Sequence, residues 1–275
     1  MTNRLQNPGF EGGWWRKTHT GQVFSEIFVP EGWIAFWKEG GPVPHDPSNQ
    51  DGYGRPEMHV INREPPFLDP PRIRSGERAY KLFTFFRIHD AGLYQRVEGV
   101  EPGTQVRGLG WAHAWSSTRD NPHASDGVGD GAYFIRASDY EGGDSVRNFT
   151  FAVGIDPEGG TDPWSDRVVW GEGAHIYNAY AQIPPVEVTA RAEAVTFFIR
   201  SRVLWPFKHC DAYLDDALLE LVRPPVHPIE VDLPDELHAG EPFAIRAQGG
   251  TGPHSLELEV SDDALFHHPR RIEGD

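Results

Sequence analysis

The stretch PFKHCDAYLDDALLELV, residues 206–222, decides the fold. Its polar and apolar residues alternate with the period of two that a β-strand imposes. An unbroken alternation puts Tyr213, Asp215, Ala217, Leu219 and Leu221 on one face. Leu214, Asp216, Leu218, Glu220 and Val222 take the other. Asp215 then falls in the buried row, where a carboxylate needs a cation or strong donors.

Outward from this strand, similar segments recur. Residues 80–89 (YKLFTFFRIH), 92–97, 105–116, 132–137, 148–155, 168–170, 175–183, 186–190 and 194–203 all read as strands, with residues 5–10 as the opening one and residues 18–34 as further strand material. Turn residues separate them, and no segment has a helical apolar stripe. Gly (30) and Pro (24) are abundant and there are 9 Trp, a mix suited to many short strands. The expected fold is all-β, a jelly-roll β-sandwich over residues 1–222. A Pro-rich linker follows at 223–228. Residues 229–275 resemble the start of an immunoglobulin-like domain, about half of what such a sandwich needs. Residues 38–74 carry eight prolines and read as one long, loop-like insert.

A net charge of −16 over 275 residues, without a Lys/Arg run, argues against nucleic acid and anionic membranes as partners. No apolar run reaches the roughly 18 residues of a membrane span. The single Cys210 excludes an intrachain disulfide. The opening MTNRLQNPGF lacks the pattern of a secretory leader, so the expectation is an intracellular protein or one whose leader has been removed.

The NPGFEGG turn at residues 7–13 presents carbonyls beside Glu11, the ligand types of a hard cation such as Ca²⁺. In residues 111–115, WAHAW, Trp111, His113 and Trp115 share one face of a strand and Ala112 and Ala114 the other. Such an aromatic row either stacks on the apolar C–H faces of sugars or fills a core. Arg87, Arg136 and Arg200 on strands read as its neighbours supply hydroxyl partners. Trp33 and Trp37, beside the insert, are the next candidates. Trp164 and Trp205 lie beside prolines and read as packed under loops. The His residues show no zinc pattern, and residues 156–162 lack the ligand spacing of an EF-hand loop.

The order NPGFE, PEGW (residues 30–33), AGLYQRVEGVEPGTQVRGLGWAHAW (residues 91–115) and AYLDDALLEL (residues 212–221) resembles the jelly-roll carbohydrate-binding modules related to the xylan- and glucan-binding modules of glycoside hydrolases. The resemblance covers residues 5–222. It implies a non-catalytic module on an extracellular or cell-surface protein, tethering its parent to a polysaccharide. It also implies a structural Ca²⁺ held by Glu11, Asp215 and a carbonyl near Gly9. Two other classes stay open: an adhesive domain without a sugar site, and a polysaccharide-active enzyme, for which paired carboxylates in a cleft are the sign.

Overall fold

The computed structural model describes residues 2–43, 52–62, 71–117, 147–207 and 209–224, with four short strands beyond them. The chain divides into two compact units, Met1–Arg223 and Pro224–Asp275.

Among the described residues the first unit holds twelve strands in order: β1 (Trp14–Trp15), β2 (Val29–Pro30), β3 (Ile34–Trp37), β4 (Glu57–Asn62), β5 (Arg78–Thr84), β6 (Asp90–Glu98), β7 (Gln105–Ser117), β8 (Phe149–Asp156), β9 (Val169–Trp170), β10 (Ala181–Thr189), β11 (Ala194–Val203) and β12 (His209–Arg223). Two five-stranded sheets form, ordered β10-β7-β12-β5-β4 and β3-β6-β11-β8-β9. All their ladders are antiparallel. The sheets pack as a jelly-roll sandwich, so the all-β expectation holds. In the second unit, β13 (Ile229–Asp232) pairs with β14 (Arg246–Gly249) and β15 (Glu257–Val260) with β16 (Arg270–Glu273). These two ladders are what is described of the second unit.

The core lies between the sheets. From the first sheet come Tyr80, Leu82, Ala112, Ala114, Ala212, Leu214 and Leu219; from the second, Leu93, Phe151, Val153, Ile155, Phe197 and Ile199. Along β7, Gly108 and Gly110 leave room for Phe197 and Ile199: a Cβ on either would come within 2.9 or 2.7 Å of the facing side chain. The small face of β7 therefore points into the core. Fully buried His89 bridges the two sheets, with Nδ1 3.3 Å from the Thr84 hydroxyl and Nε2 3.0 Å from the Ser201 hydroxyl.

Four expectations are corrected. Residues 5–10 form turns, with Asn7 and Phe10 at positive φ, so the opening strand is β1. The insert is not all loop, because β4 lies inside it. Residues 175–183 are not a strand: β10 starts at Ala181 and runs through Pro184 and Pro185. The prolines are accommodated at a bulge between Ile183 and Val186, on a strand that is the edge of its sheet among the described residues. Finally, β12 does not alternate unbroken. A bulge between Asp215 and Leu218, with Asp216 at φ 45°, resets the pattern. Ala212 and Leu214 face inward before it, and Ala217 and Leu219 after it. Asp215 thus leaves the core row and joins Asp211 and Tyr213 on the outer face. The expected strand at 132–137 lies outside the described residues.

Gly92 on β6 stands opposite both Phe36 and Arg200. A Cβ there would lie 2.9 Å from the Phe36 ring and run into the backbone of β11. Gly92→Ala is expected to lower the unfolding free energy by about 1–3 kcal/mol, the usual cost of overpacking. An unchanged denaturation midpoint would contradict this packing.

Candidate functional site

The large face of β7 points away from the core. Trp111, His113 and Trp115 lie on the outer surface of the first sheet, opposite Asp215, Tyr213 and Asp211 of β12. They are not open to solvent as a platform. His113 is fully buried, Trp115 is buried and Trp111 is half-buried. Residues 71–75, the end of the insert, cross this face. The buried Arg72 guanidinium sits 5.8 Å from the Trp115 ring and 5.6 Å from the Tyr213 ring, and donates to His113 Nε2 at 3.0 Å. Arg74 stacks on Trp111 at 3.7 Å. Lys81 pairs with the buried Asp211 beside Tyr213. Burial alone would lower the Lys81 pKa, but Asp211 and Tyr213 outweigh it and raise it. This face is filled by the protein's own cations.

The sequence-predicted residues therefore separate. Trp33 is fully buried and donates to the Asn7 carbonyl, and Trp37 is buried against His19 and Phe24. Both are core side chains and cannot meet a ligand. Arg87 and Arg200 do not adjoin the β7 row. Arg87 lines a polar cleft of about 300 Å³ with Glu39, Tyr53 and Arg55. Arg136 lies outside the described residues.

Arg200 lies on the outer face of the other sheet, where β8, β9 and β11 meet. A cleft of about 310 Å³ opens there, lined by Thr150, Trp170, Gly171, Gly173, Arg200 and Arg202. The Arg200 guanidinium lies 5.1 Å from the Trp164 ring and 5.0 Å from the Trp170 ring. Asp90 fixes it with two hydrogen bonds of 2.5 Å. Beneath, Phe36, Tyr94, Val168 and Phe198 form a second apolar cluster that supports Trp170. Trp164 is 39% exposed, so it is not packed away as its flanking proline implied. Sequence reasoning missed Thr150, Trp164, Trp170 and Arg202. The aromatic ends of the segments 163–165 and 168–170 were the available signal.

The predicted metal residues Glu11 and Asp215 both hydrogen-bond to residues 74–78. Glu11 accepts N–H bonds from Glu77 and Arg78, both at 3.0 Å. Asp215 accepts from the Arg74 and Ser75 N–H groups at 3.0 and 3.3 Å. Asp216 takes the Ser75 hydroxyl at 2.8 Å and pairs with Arg74. A Cβ on Gly9 would fill the space between Asp216 Oδ1, at 3.5 Å, and Glu11 Cγ, at 3.8 Å. The carbonyls of Asn7, Pro8, Gly12 and Gly13 already accept hydrogen bonds, so a hard cation here would draw on those of Gly9, Phe10 and Glu11 beside the Glu11 side chain and the Asp216 carboxylate, the one that faces Gly9. Among the described residues no three His, Cys, Asp or Glu side chains converge as a metal set, so main-chain oxygens would complete it.

No family model matches the chain, and no curated protein matches it. Solved structures do. The TmCBM61 module in complex with β-1,4-galactotriose is 14% identical, covers 80% of this chain and 99% of its own, and has a TM-score of 0.43. The CBM22-1 xylan-binding domain of Paenibacillus barcinonensis Xyn10C is 10% identical over 63% of this chain and 87% of its own, with a TM-score of 0.32. A Fischerella sp. TAU cyclase in complex with 4-(1H-indol-3-yl)butan-2-one is 12% identical over 82% of this chain and 98% of its own, with a TM-score of 0.47. These likenesses assign this chain neither a ligand nor a reaction.

Burial holds the pKa of His89 down to about 3; burial and then Arg72 hold that of His113 down to about 2. Both rings are neutral in the fold but gain a proton below about 6.5 once unfolded. Each therefore contributes stability above pH 6.5 that is lost as pH falls, by about 1.4 kcal/mol per unit. Asp215 works the other way. Burial and the charge of Asp216 raise its pKa to about 7, so the fold gains relative stability as pH drops from 7 towards 4. Two imidazoles outweigh one carboxylate. In chelator, the unfolding free energy is expected to fall by about 1.4 kcal/mol per unit between pH 6 and 4, and by about 2.7 in Asp215→Asn. A flat profile in both proteins would refute this.

Proposed function

We propose that the unit Met1–Arg223 is a non-catalytic carbohydrate-binding module whose glycan seats in the Trp170–Arg200 cleft. The observation that carries this is the Arg200 guanidinium held between two indoles at the edge of an open cleft. An indole offers an apolar surface to the C–H face of a pyranose, and fixed guanidinium and hydroxyl groups supply partners for its rim. Arg200 is preorganised by Asp90, so little order is lost on binding. Among the described residues, neither cleft sets two carboxylates against each other: the first is lined by none and the second by Glu39 alone. In a longer parent the module serves as a tether to a polysaccharide, in an extracellular or cell-surface setting.

A second reading keeps the fold without a sugar site. It draws on the β7 row, which Arg72 fills. The two are separated on a broad glycan array with the whole chain. Binding that falls about ten-fold or more in Trp170→Ala and in Trp164→Ala, with folding intact by circular dichroism, supports the module. An array without a hit leaves the adhesive reading.

We also propose a structural Ca²⁺ held by Glu11 and Asp216 at the Gly9 turn, where it would tie the opening turn to the closing strand. At about 100-fold saturation a native-state ligand contributes about 2.7 kcal/mol. EDTA is expected to lower the unfolding temperature by several degrees in the parent chain and by less in Glu11→Gln. Equal curves with and without EDTA would rule the ion out.

A further inference from the structure

The charge of the Trp170 cleft is opposite to that of the chain around it. The protein carries −16, yet the cleft's ionised lining is two guanidinium groups, Arg200 and Arg202. Two acids adjoin it among the described residues: Asp90, buried with both oxygens on Arg200, and the exposed Glu172, between the lining Gly171 and Gly173. Arg200 is thereby compensated. Arg202 is not. It is exposed, stands in register with Asp90 on one side and Thr150 on the other, and makes no ion pair or hydrogen bond among the described residues. Of the lining's two cations, Arg200 is paired to a carboxylate and the exposed Arg202 is not, so Arg202 is the group a ligand's charge would meet.

We infer that the cleft takes an acidic saccharide, with the carboxylate of a uronic acid residue paired to Arg202 and the ring seated against Trp170. This deepens the carbohydrate reading and rests on it. The planar guanidinium fork matches a carboxylate through two parallel hydrogen bonds. The pairing favours a monoanion: one carboxylate matches the single unpaired guanidinium of the lining. A phosphate ester, nearer two negative charges, would leave an excess anion in the field of a strongly acidic protein. A Cβ on Gly173 would lie 2.9 Å from Thr150 Cγ2, so glycine there keeps the cleft open beside Thr150.

The test is calorimetric titration of the whole chain at low salt. The probes are an oligogalacturonate, the same oligomer with its carboxyl groups reduced to alcohols, and a sulfated neutral oligomer of equal length. The uronate form is expected to bind at least about ten-fold tighter than the reduced form, the worth of one charge-assisted bond. The preference should shrink in about 0.5 M salt. Arg202→Gln should bring the ratio of the two affinities towards one, and Arg202→Lys, which keeps the charge without the fork, should retain part of it. Equal affinities for the uronate and reduced forms would overturn the acid preference and leave the carbohydrate reading standing. Preference for the sulfated oligomer, lost in Arg202→Gln, would overturn the carboxylate assignment. Absence of binding to all three, together with an empty glycan array, would remove both readings.

Discussion

The two sheets of this sandwich come together where β7 has almost nothing to place between them. Gly108, Gly110, Ala112 and Ala114 present their small face inward, and Phe197 and Ile199 of β11 fill the room so created. Interiors are packed too densely for large residues on both sides of such a contact. Once the small face of β7 is committed inward, Trp111, His113 and Trp115 have to face out. Three large rings on an outer face need cover, and residues 71–75 provide it through Arg72 and Arg74. The end of the insert is thus explained from the inside of the molecule outwards.

The same alternation builds the opposite surface. Phe197 faces the core, so its neighbour Phe198 faces out and joins Phe36, Tyr94 and Trp170 in a second apolar cluster. Arg200 and Arg202 follow on that outer face at the period of two. Asp90 opens β6 at a level where it reaches Arg200 across the ladder. One outer surface of the sandwich is closed by its own cations and the other left open beside them. That asymmetry, more than aromatic content, is why the proposed ligand is placed on the second surface.

Much of this was legible in the sequence. Period-two alternation found β6, β7, β8, β11 and β12 nearly to their ends, because both faces of a strand in a sandwich have distinct environments. The bulge at Asp216 was not legible, since one inserted residue leaves a sequence that still alternates locally while swapping its faces. The direction of the β7 row escaped for a related reason: a large/small pattern fixes that two faces differ but not which is inner. Trp33 and Trp164 were misjudged because flanking Pro and Gly residues speak of turns, whereas burial is set by what packs above them. That Glu11 and Asp215 come to neighbouring positions was readable, since both hydrogen-bond to residues 74–78, whereas the bulge that turns Asp216 towards Gly9 was not.

The double proline of β10 reaches beyond this one chain. Among the described residues β10 is the last strand of its sheet, and an open strand edge is a template on which another chain can add. Pro184 and Pro185 remove two amide hydrogens from that margin, and the bulge bends what remains out of line. A foreign strand approaching there meets an interrupted ladder, so at this margin the sandwich resists stacking edge to edge into fibrils at high concentration.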